Sequence, residues 1–305
     1  MRKMICVLLA FCLLAGVGLA EVAPESQSLG LSGVGNAREL GGYVCADGRA
    51  VKPGVFLRTA ALANATEEDI RILQDDYHLS TIVDLRMTAE AESAPDPEIE
   101  GVKYLRLGII DEEEMAAKRQ AISAEVMEGL DLSKKTDQLK LAIRLGIISD
   151  QMYVEFLSGE PGKAGYARLF RELLALPEGG SLLFHCTQGK DRTGCAAMLI
   201  LSALGVDEET ILADFMLTNA FNAALIESER QMLIASGLEG DELETYMRAM
   251  DEVDPQYMIN ALDWMKADYG SALGYIREEL GVTDDELQML RDKYLEDAAE
   301  YADAA

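Results

Sequence analysis

Histidine is nearly missing from this chain: there are two in 305 residues, His78 and His185, and neither is spaced with other ligand types as in a metal motif. No metal or other cofactor is expected on that ground. Cysteine is scarce too, five in all. No Cys-x-x-Cys occurs, and a redox role for Cys186 with Cys195, nine residues on, would lack the usual dithiol motif. Basic residues are outnumbered by acids, 27 against 54, for a net charge of −27. A field of that sign repels nucleic acid and anionic membranes at long range, so an anionic substrate must be drawn by a local basic pocket. Beyond residue 20 no apolar run is long enough to span a bilayer, so no stable membrane anchor is expected there. Internal repeats are absent, as is any linker long enough to separate two domains.

The one long apolar run, residues 4–20, follows Arg2 and Lys3 and ends on the small-residue pattern Gly18-Leu19-Ala20. This is the anatomy of a cleaved export signal, with cleavage expected after Ala20 and a secreted or periplasmic destination. Residues 21–305 are then expected to form one domain. That portion keeps three cysteines, Cys45, Cys186 and Cys195. An odd count leaves at least one free thiol, and an exported domain of this size does not need disulfide staples.

Glycine pairs and Asp-Gly steps punctuate the next stretch. Gly41-Gly42 predicts a tight turn and Asp47-Gly48 a hairpin. Short strands are predicted at residues 55–57, 81–85 and 102–107, with a helix capped by Thr66 and led by Glu67, Glu68 and Asp69 between the first two. Residues 111–150 are charged and helical, with Leu139, Ile143 and Ile147 at four-residue spacing. They read as an amphipathic hairpin packed on the core, or alternatively as a lid over an active site. A helix over 153–176, a buried strand over 181–185 and a helix over 193–204 stopping at Gly205 follow. From Asp207 onward the pattern is helical, with breaks near Gly237, Pro255, Gly270 and Gly281. Strands alternating with helices point to an α/β fold with a largely parallel sheet flanked by helices, a helical insertion and a helical C-terminal third.

The chemistry concentrates where the strand over 181–185 ends. His185-Cys186-Thr187-Gln188-Gly189-Lys190-Asp191-Arg192-Thr193-Gly194 lies between a strand and a helix. A loop of this kind turns its N–H groups inward, and the helix N-terminus adds partial positive charge, which makes an anion cradle. The cysteine thiolate is the nucleophilic form, and helix dipole, Lys190 and Arg192 all favour it. The planar fork of Arg192 matches two phosphate oxygens. Thr187, Gln188, Gly189 and Lys190 would complete the phosphate cradle, and Thr193 can donate its hydroxyl to the thiolate. Attack by Cys186 followed by water gives a two-step displacement through a covalent intermediate. His185 is expected to fix the loop by hydrogen bonds with its ring turned away.

This loop resembles that of the cysteine-dependent protein-tyrosine phosphatase superfamily, and the chain is most similar to its bacterial tyrosine/serine phosphatase family, which includes a secreted mycobacterial phosphatase. The likeness extends to Asn36-Ala37-Arg38-Glu39-Leu40-Gly41-Gly42-Tyr43, where Ala37 and Glu39 depart from the family pattern, to Val83-Asp84-Leu85-Arg86 with Glu90, to residues 212–219, and to the tail over 255–295. It implies a phosphatase-type α/β fold, no metal, and substrates among phosphotyrosine, phosphoserine and phosphoinositides. Lys190 and Asp191 are also similar to the loops of phosphoinositide phosphatases.

Departure of an alcohol from phosphorus needs a carboxylic acid within reach. Asp191 and Asp84 are the two candidates, with Asp214 third, and Asp84 also reads as an ion-pair partner of Arg86 or Arg38. Arg86 and Glu90 read as a structural pair. Two other functions compete: an inositol polyphosphate phosphatase of phytase type, and a protein that binds phosphate without turning it over. Intact Cys186, Arg192 and Thr193 argue against the second.

Overall fold

The computed structural model describes residues 27–120, 122–123 and 125–298, so the expected export signal lies outside the described residues. In chain order its elements are β1 (Arg38–Glu39), β2 (Arg49–Val51), β3 (Phe56–Thr59), α1 (Glu67–Arg71), β4 (Leu79–Asp84), α2 (Thr88–Ser93), β5 (Lys103–Arg106), α3 (Glu112–Gln120), α4 (Lys135–Arg144), α5 (Met152–Ser158) and α6 (Glu160–Ala175). There follow β6 (Ser181–His185), α7 (Asp191–Leu204), α8 (Glu208–Phe221), α9 (Ala223–Ala235), α10 (Gly240–Met250), α11 (Pro255–Tyr269), α12 (Ala272–Glu278), α13 (Asp284–Tyr294) and β7 (Leu295–Asp297).

The expected α/β architecture is present. Five strands form one sheet in the order β1-β3-β6-β4-β5. Three of the four pairings are parallel, and only the short edge strand β1 runs antiparallel to its neighbour. Every residue of the central strand β6 is buried. Each of Leu182, Leu183 and Phe184 is fully covered and contributes about 1.5–3 kcal/mol of burial. Parallel strands covered on both faces read as unbroken apolar runs, which is why this segment was recognisable. Helix α7 leaves β6 and lies in the main core, with Cys195, Ala196 and Leu199 wholly covered. Its C-cap is Gly205 at φ +96°, a backbone setting suited to glycine. Thr66 caps α1 in a reciprocal box with Asp69.

Three sequence expectations change. The helix over 153–176 is two helices, α5 and α6, separated by Gly159, with Pro161 in the first turn of the second. Residues 295–297 continue not as helix but as β7, which pairs antiparallel with β2. The 111–150 insertion does not pack on the main core as a hairpin. Leu139 on α4 instead joins Leu233, Leu243, Tyr246 and Met247 in a separate cluster between α4, α9 and α10, while Ile143 is 49% exposed. Among the described residues no helix is long and apolar enough to cross a membrane.

Candidate active site

The loop after β6 is held from outside by its carbonyl groups. Thr187 O accepts from the Ala61 N–H at 3.1 Å. Gly189 O accepts from Asn36 Nδ2 at 2.8 Å and from Arg58 Nη2 at 3.0 Å, and Asn36 Nδ2 also reaches Gln188 O at 3.3 Å. With these carbonyls turned outward, the N–H groups of the loop are left for its inner side, as an anion cradle requires. Asn36 sits at φ +51°, in the left-handed region that asparagine tolerates, and this conformation aims its amide at the loop. Gly189 has φ +68°, and a Cβ there would fall 2.6 Å from the Thr59 carbonyl carbon and 2.7 Å from the Ala60 nitrogen. Only glycine fits so close an approach.

Arg38 on the edge strand β1 and Arg58 on its neighbour β3 are both fully buried and share one counterion, Asp214 on α8. Burial opposes the charge of Asp214, but Arg58 and Arg38 hold its carboxyl below the usual range. Asp214 is thereby a structural anchor and not an available acid. The blocks around Asn36 and Asp214, distant in sequence, thus meet under the loop and tie it to the sheet.

Cys186 is 2% exposed at the mouth of the loop. It opens onto a cleft of about 370 Å³ that is also lined by Glu90, Asp191, Arg192, Glu229 and Asp251. A second, larger chamber of about 620 Å³ adjoins it across Gln188, Asp191 and Arg192 and is walled by Ile109, Ile147, Ile148, Met152, Phe156 and Met250. Part of that wall comes from the 111–150 insertion.

Arg192 Nη1 donates to Glu90 Oε2 at 2.6 Å and Nη2 donates to Glu90 Oε1 at 2.9 Å. Glu90 also accepts from Thr187 Oγ1 at 2.7 Å and from the Met87 N–H at 2.9 Å. Against the cost of burial, Arg192 and then Thr187 and Met87 bring the Glu90 carboxyl down to about 2. The expected Arg86–Glu90 pair is therefore wrong: Glu90 belongs to the loop arginine. Arg86 is buried elsewhere, bridging Asp84 and Asp96 at 2.8 and 2.7 Å.

Asp84 is completely buried, accepting from Arg86 and from Tyr104 Oη at 2.6 Å. Burial alone would raise its carboxyl, but Arg86 and His185 hold it below the ordinary value. A buried carboxylate clamped by a guanidinium does not deliver a proton, so Asp84 leaves the list of acid candidates and its reading as an ion-pair partner stands. His185 lies in the same knot. Its Nδ1 is 3.2 Å from Cys186 O and its Nε2 3.1 Å from Asp96 Oδ2. This histidine thus does meet two acids, contrary to the sequence expectation. Arg86 bridges those acids, which makes the group a buried ion-pair network rather than a free ligand set.

Two loop side chains point away from the expected roles. Lys190 Nζ donates to the carbonyls of Met250 at 2.7 Å and Glu252 at 3.3 Å instead of facing the cradle. Thr193 Oγ1 is buried and makes no hydrogen bond, to the thiol or otherwise. Asp191 does face the cleft. Its Oδ1 accepts from Tyr153 Oη at 2.7 Å, and Tyr153 is fixed between the rings of Phe215 and Tyr257. Cys45, Cys186 and Cys195 are all free thiols. Burial, with Asp47 beside it, pushes Cys45 up to about 11, and burial raises Cys195 further, so neither is an activated thiol.

Comparison with known proteins accords with this geometry. Residues 29–296 match the model of the tyrosine phosphatase family. A Cupriavidus necator protein assigned as a tyrosine-protein phosphatase is 30% identical over 272 residues, covering 88% of this chain and 89% of its own. A tyrosine-protein phosphatase of Nostoc commune is 26% identical over 79% of this chain and 74% of its own. A triple specificity protein phosphatase of Mycobacterium tuberculosis is 30% identical over 127 residues, 39% of this chain and 46% of its own. With a family match across nearly all of the described residues, the chain belongs to the tyrosine phosphatase family.

Proposed function

We propose that this protein is an exported phosphoric-monoester hydrolase that works through a phosphocysteine, with Cys186 as nucleophile and Arg192 as phosphate clamp. The observation that carries the reading is that both residues open onto one cleft, at the end of a parallel strand and the start of a helix, around a loop whose Thr187, Gln188 and Gly189 carbonyls are bound from outside. Residues 1–20 would direct export, and residues 21–305 would form one phosphatase domain with the 111–150 insertion as a lid.

The thiolate of Cys186 attacks phosphorus, the bond to the leaving oxygen breaks with its electron pair on that oxygen, and water then releases inorganic phosphate and restores the thiolate. Loop N–H groups and the start of α7 stabilise the equatorial oxygens. The Nε edge of Arg192, left open by Glu90, supplies the planar contact. Asp191, oriented by Tyr153, stands beside the phosphate to position the attacking water.

The apolar chamber supports an aromatic leaving group, hence phosphotyrosine, over a bare polyol. Phosphoserine remains within the proposed range because the M. tuberculosis relative is named a triple specificity protein phosphatase, and phosphoinositides remain there on the resemblance of the Lys190-Asp191 loop alone. The test is Cys186→Ser on residues 21–305, with phosphotyrosyl and phosphoseryl peptides, phosphoinositides and phytate as substrates. Loss of all turnover with an intact fold is expected, with the phosphotyrosyl peptide the best wild-type substrate. Retained activity would refute the nucleophile, and phytate as best substrate would refute the substrate class.

A further inference from the structure

The cleft at Cys186 is lined by four carboxyl groups, Glu90, Asp191, Glu229 and Asp251, and the phosphocysteine reading requires one of them to arrive protonated. Glu90 is held at about 2 by four donors and is ionised throughout the working range. Glu229 accepts from Lys135 Nζ at 3.2 Å. Asp191 accepts the phenol of Tyr153 at 2.7 Å.

Asp251, just beyond the last turn of α10, differs from all three. Its Oδ2 is buried and makes no hydrogen bond, and no cation lies within ion-pairing distance of it among the described residues. Its position is not incidental. Lys190, from within the loop itself, donates to the carbonyls of Met250 and Glu252, the residues on either side of it. The lysine of the loop therefore fastens the segment that presents Asp251 to the cleft. Glu252 is held in turn by Arg230 at 3.1 Å.

We propose that Asp251 is the general acid of this site. The proposal rests on the phosphocysteine reading. As Cys186 Sγ bonds to phosphorus and the ester P–O bond breaks, the proton of Asp251 passes to the departing oxygen and the alcohol leaves neutral. The Asp251 carboxylate then takes a proton from the attacking water as the P–S bond breaks, which returns both groups to their starting forms. Burial, and next the charge of Glu229, raise the Asp251 carboxyl above its ordinary value, opposed by Lys190 and Lys135, with Glu252 adding to the rise. The pair thus divides the labour that unequal environments impose on two carboxyls: Asp251 gives up the proton, and Asp191 steers the water.

The test compares a poor leaving group, a phosphoseryl peptide, with a good one, p-nitrophenyl phosphate, in Asp251→Asn, Asp251→Glu and Asp191→Asn. A general acid is worth about 10²–10⁴-fold where the leaving group needs it. Asp251→Asn should slow the phosphoseryl peptide by at least about a hundredfold and nitrophenyl phosphate by less than about tenfold, with Asp251→Glu partly restoring the first. Equal slowing of both substrates, or selective slowing in Asp191→Asn instead, would overturn the assignment. Glu229→Gln gives a second reading that does not depend on how Asp251→Asn folds. Removing that charge should move the alkaline limb of the phosphoseryl kcat profile to lower pH, and an unmoved limb would also overturn it. If Cys186→Ser remained active, the phosphocysteine reading itself would fail, an outcome distinct from any of these.

Discussion

Arg192 and Glu90, 102 residues apart in sequence, face each other as a two-toothed pair in which each carboxylate oxygen takes one terminal nitrogen. Glu90 occupies the Nη1/Nη2 edge, so the guanidinium is fixed in plane. That makes Glu90 a positioning residue. Glu90→Gln should lower kcat/KM about 10- to 100-fold, the range for a hydrogen bond to a charged group, and weaken inhibition by vanadate in parallel. A kcat loss with unchanged vanadate affinity would contradict it. The depressed carboxyl also sets a pH signature. Its stabilising contribution is complete above the ordinary glutamate range near pH 4.5 and is lost as pH falls toward about 2. Thermal unfolding of the wild type and of Glu90→Gln should therefore differ by a constant amount at neutrality, draw together as pH falls below about 4.5, and coincide only near pH 2.

Arg192→Lys keeps the charge and loses both forks. It should cost at least about a hundredfold in kcat, the range of one preorganised transition-state contact. It should also release Glu90 from its partner, so adding Glu90→Gln to the same chain should change activity little further. Additive losses in the double variant would show that the two residues act separately.

Gly189→Ala puts a methyl group against the backbone of Thr59 and Ala60 at a positive φ. Strain of this kind costs about 1–3 kcal/mol before any clash. The loop should give way before the sheet does, so turnover should fall by more than about tenfold even where the midpoint of unfolding drops only a few degrees. Unfolding without selective loss of kcat in the surviving folded fraction would argue against a loop-borne cradle.

Asp84→Asn breaks a buried ion-pair network with Arg86 and Asp96. Removing one partner of such a group typically costs about 3–5 kcal/mol. The effect should appear in denaturant unfolding, while the ratio of phosphoserine to nitrophenyl phosphate turnover stays as in the wild type. A collapse of that ratio would return Asp84 to the role of acid.

What could be read from the sequence was whatever is written within one strand–loop–helix unit. Cys186 through Thr193 carry their own context, because β6 is a buried apolar run and α7 begins at once. Glu90, Asn36, Arg58, Tyr153 and Asp251 gained their roles only from the fold, since their partners in the loop lie far away along the chain. For Glu90, the nearer Arg86 offered a competing partner, and only the turn after β4 decided between them. Lys190 misled for a related reason. A lysine in a phosphate loop suggests a phosphate contact, but this one is spent on two carbonyls across the cleft. Residues 295–297 gave no strand signal of their own, because a three-residue edge strand is defined by its partner rather than by its pattern.

That terminal strand has a consequence for synthesis. The ladder between β2 and β7 pairs Val51 with Leu295 and Arg49 with Asp297, and Lys52 Nζ reaches Lys293 O across the same seam at 2.9 Å. Residues 49–51 must therefore wait for residues 295–297 to leave the ribosome before this clasp can close. Until then the second strand pairs only with the other arm of its own hairpin, through Tyr43, Val44 and Cys45, and its outer edge stays unsatisfied. A growing chain of this protein therefore keeps this two-stranded sheet open until residues 295–297 are made.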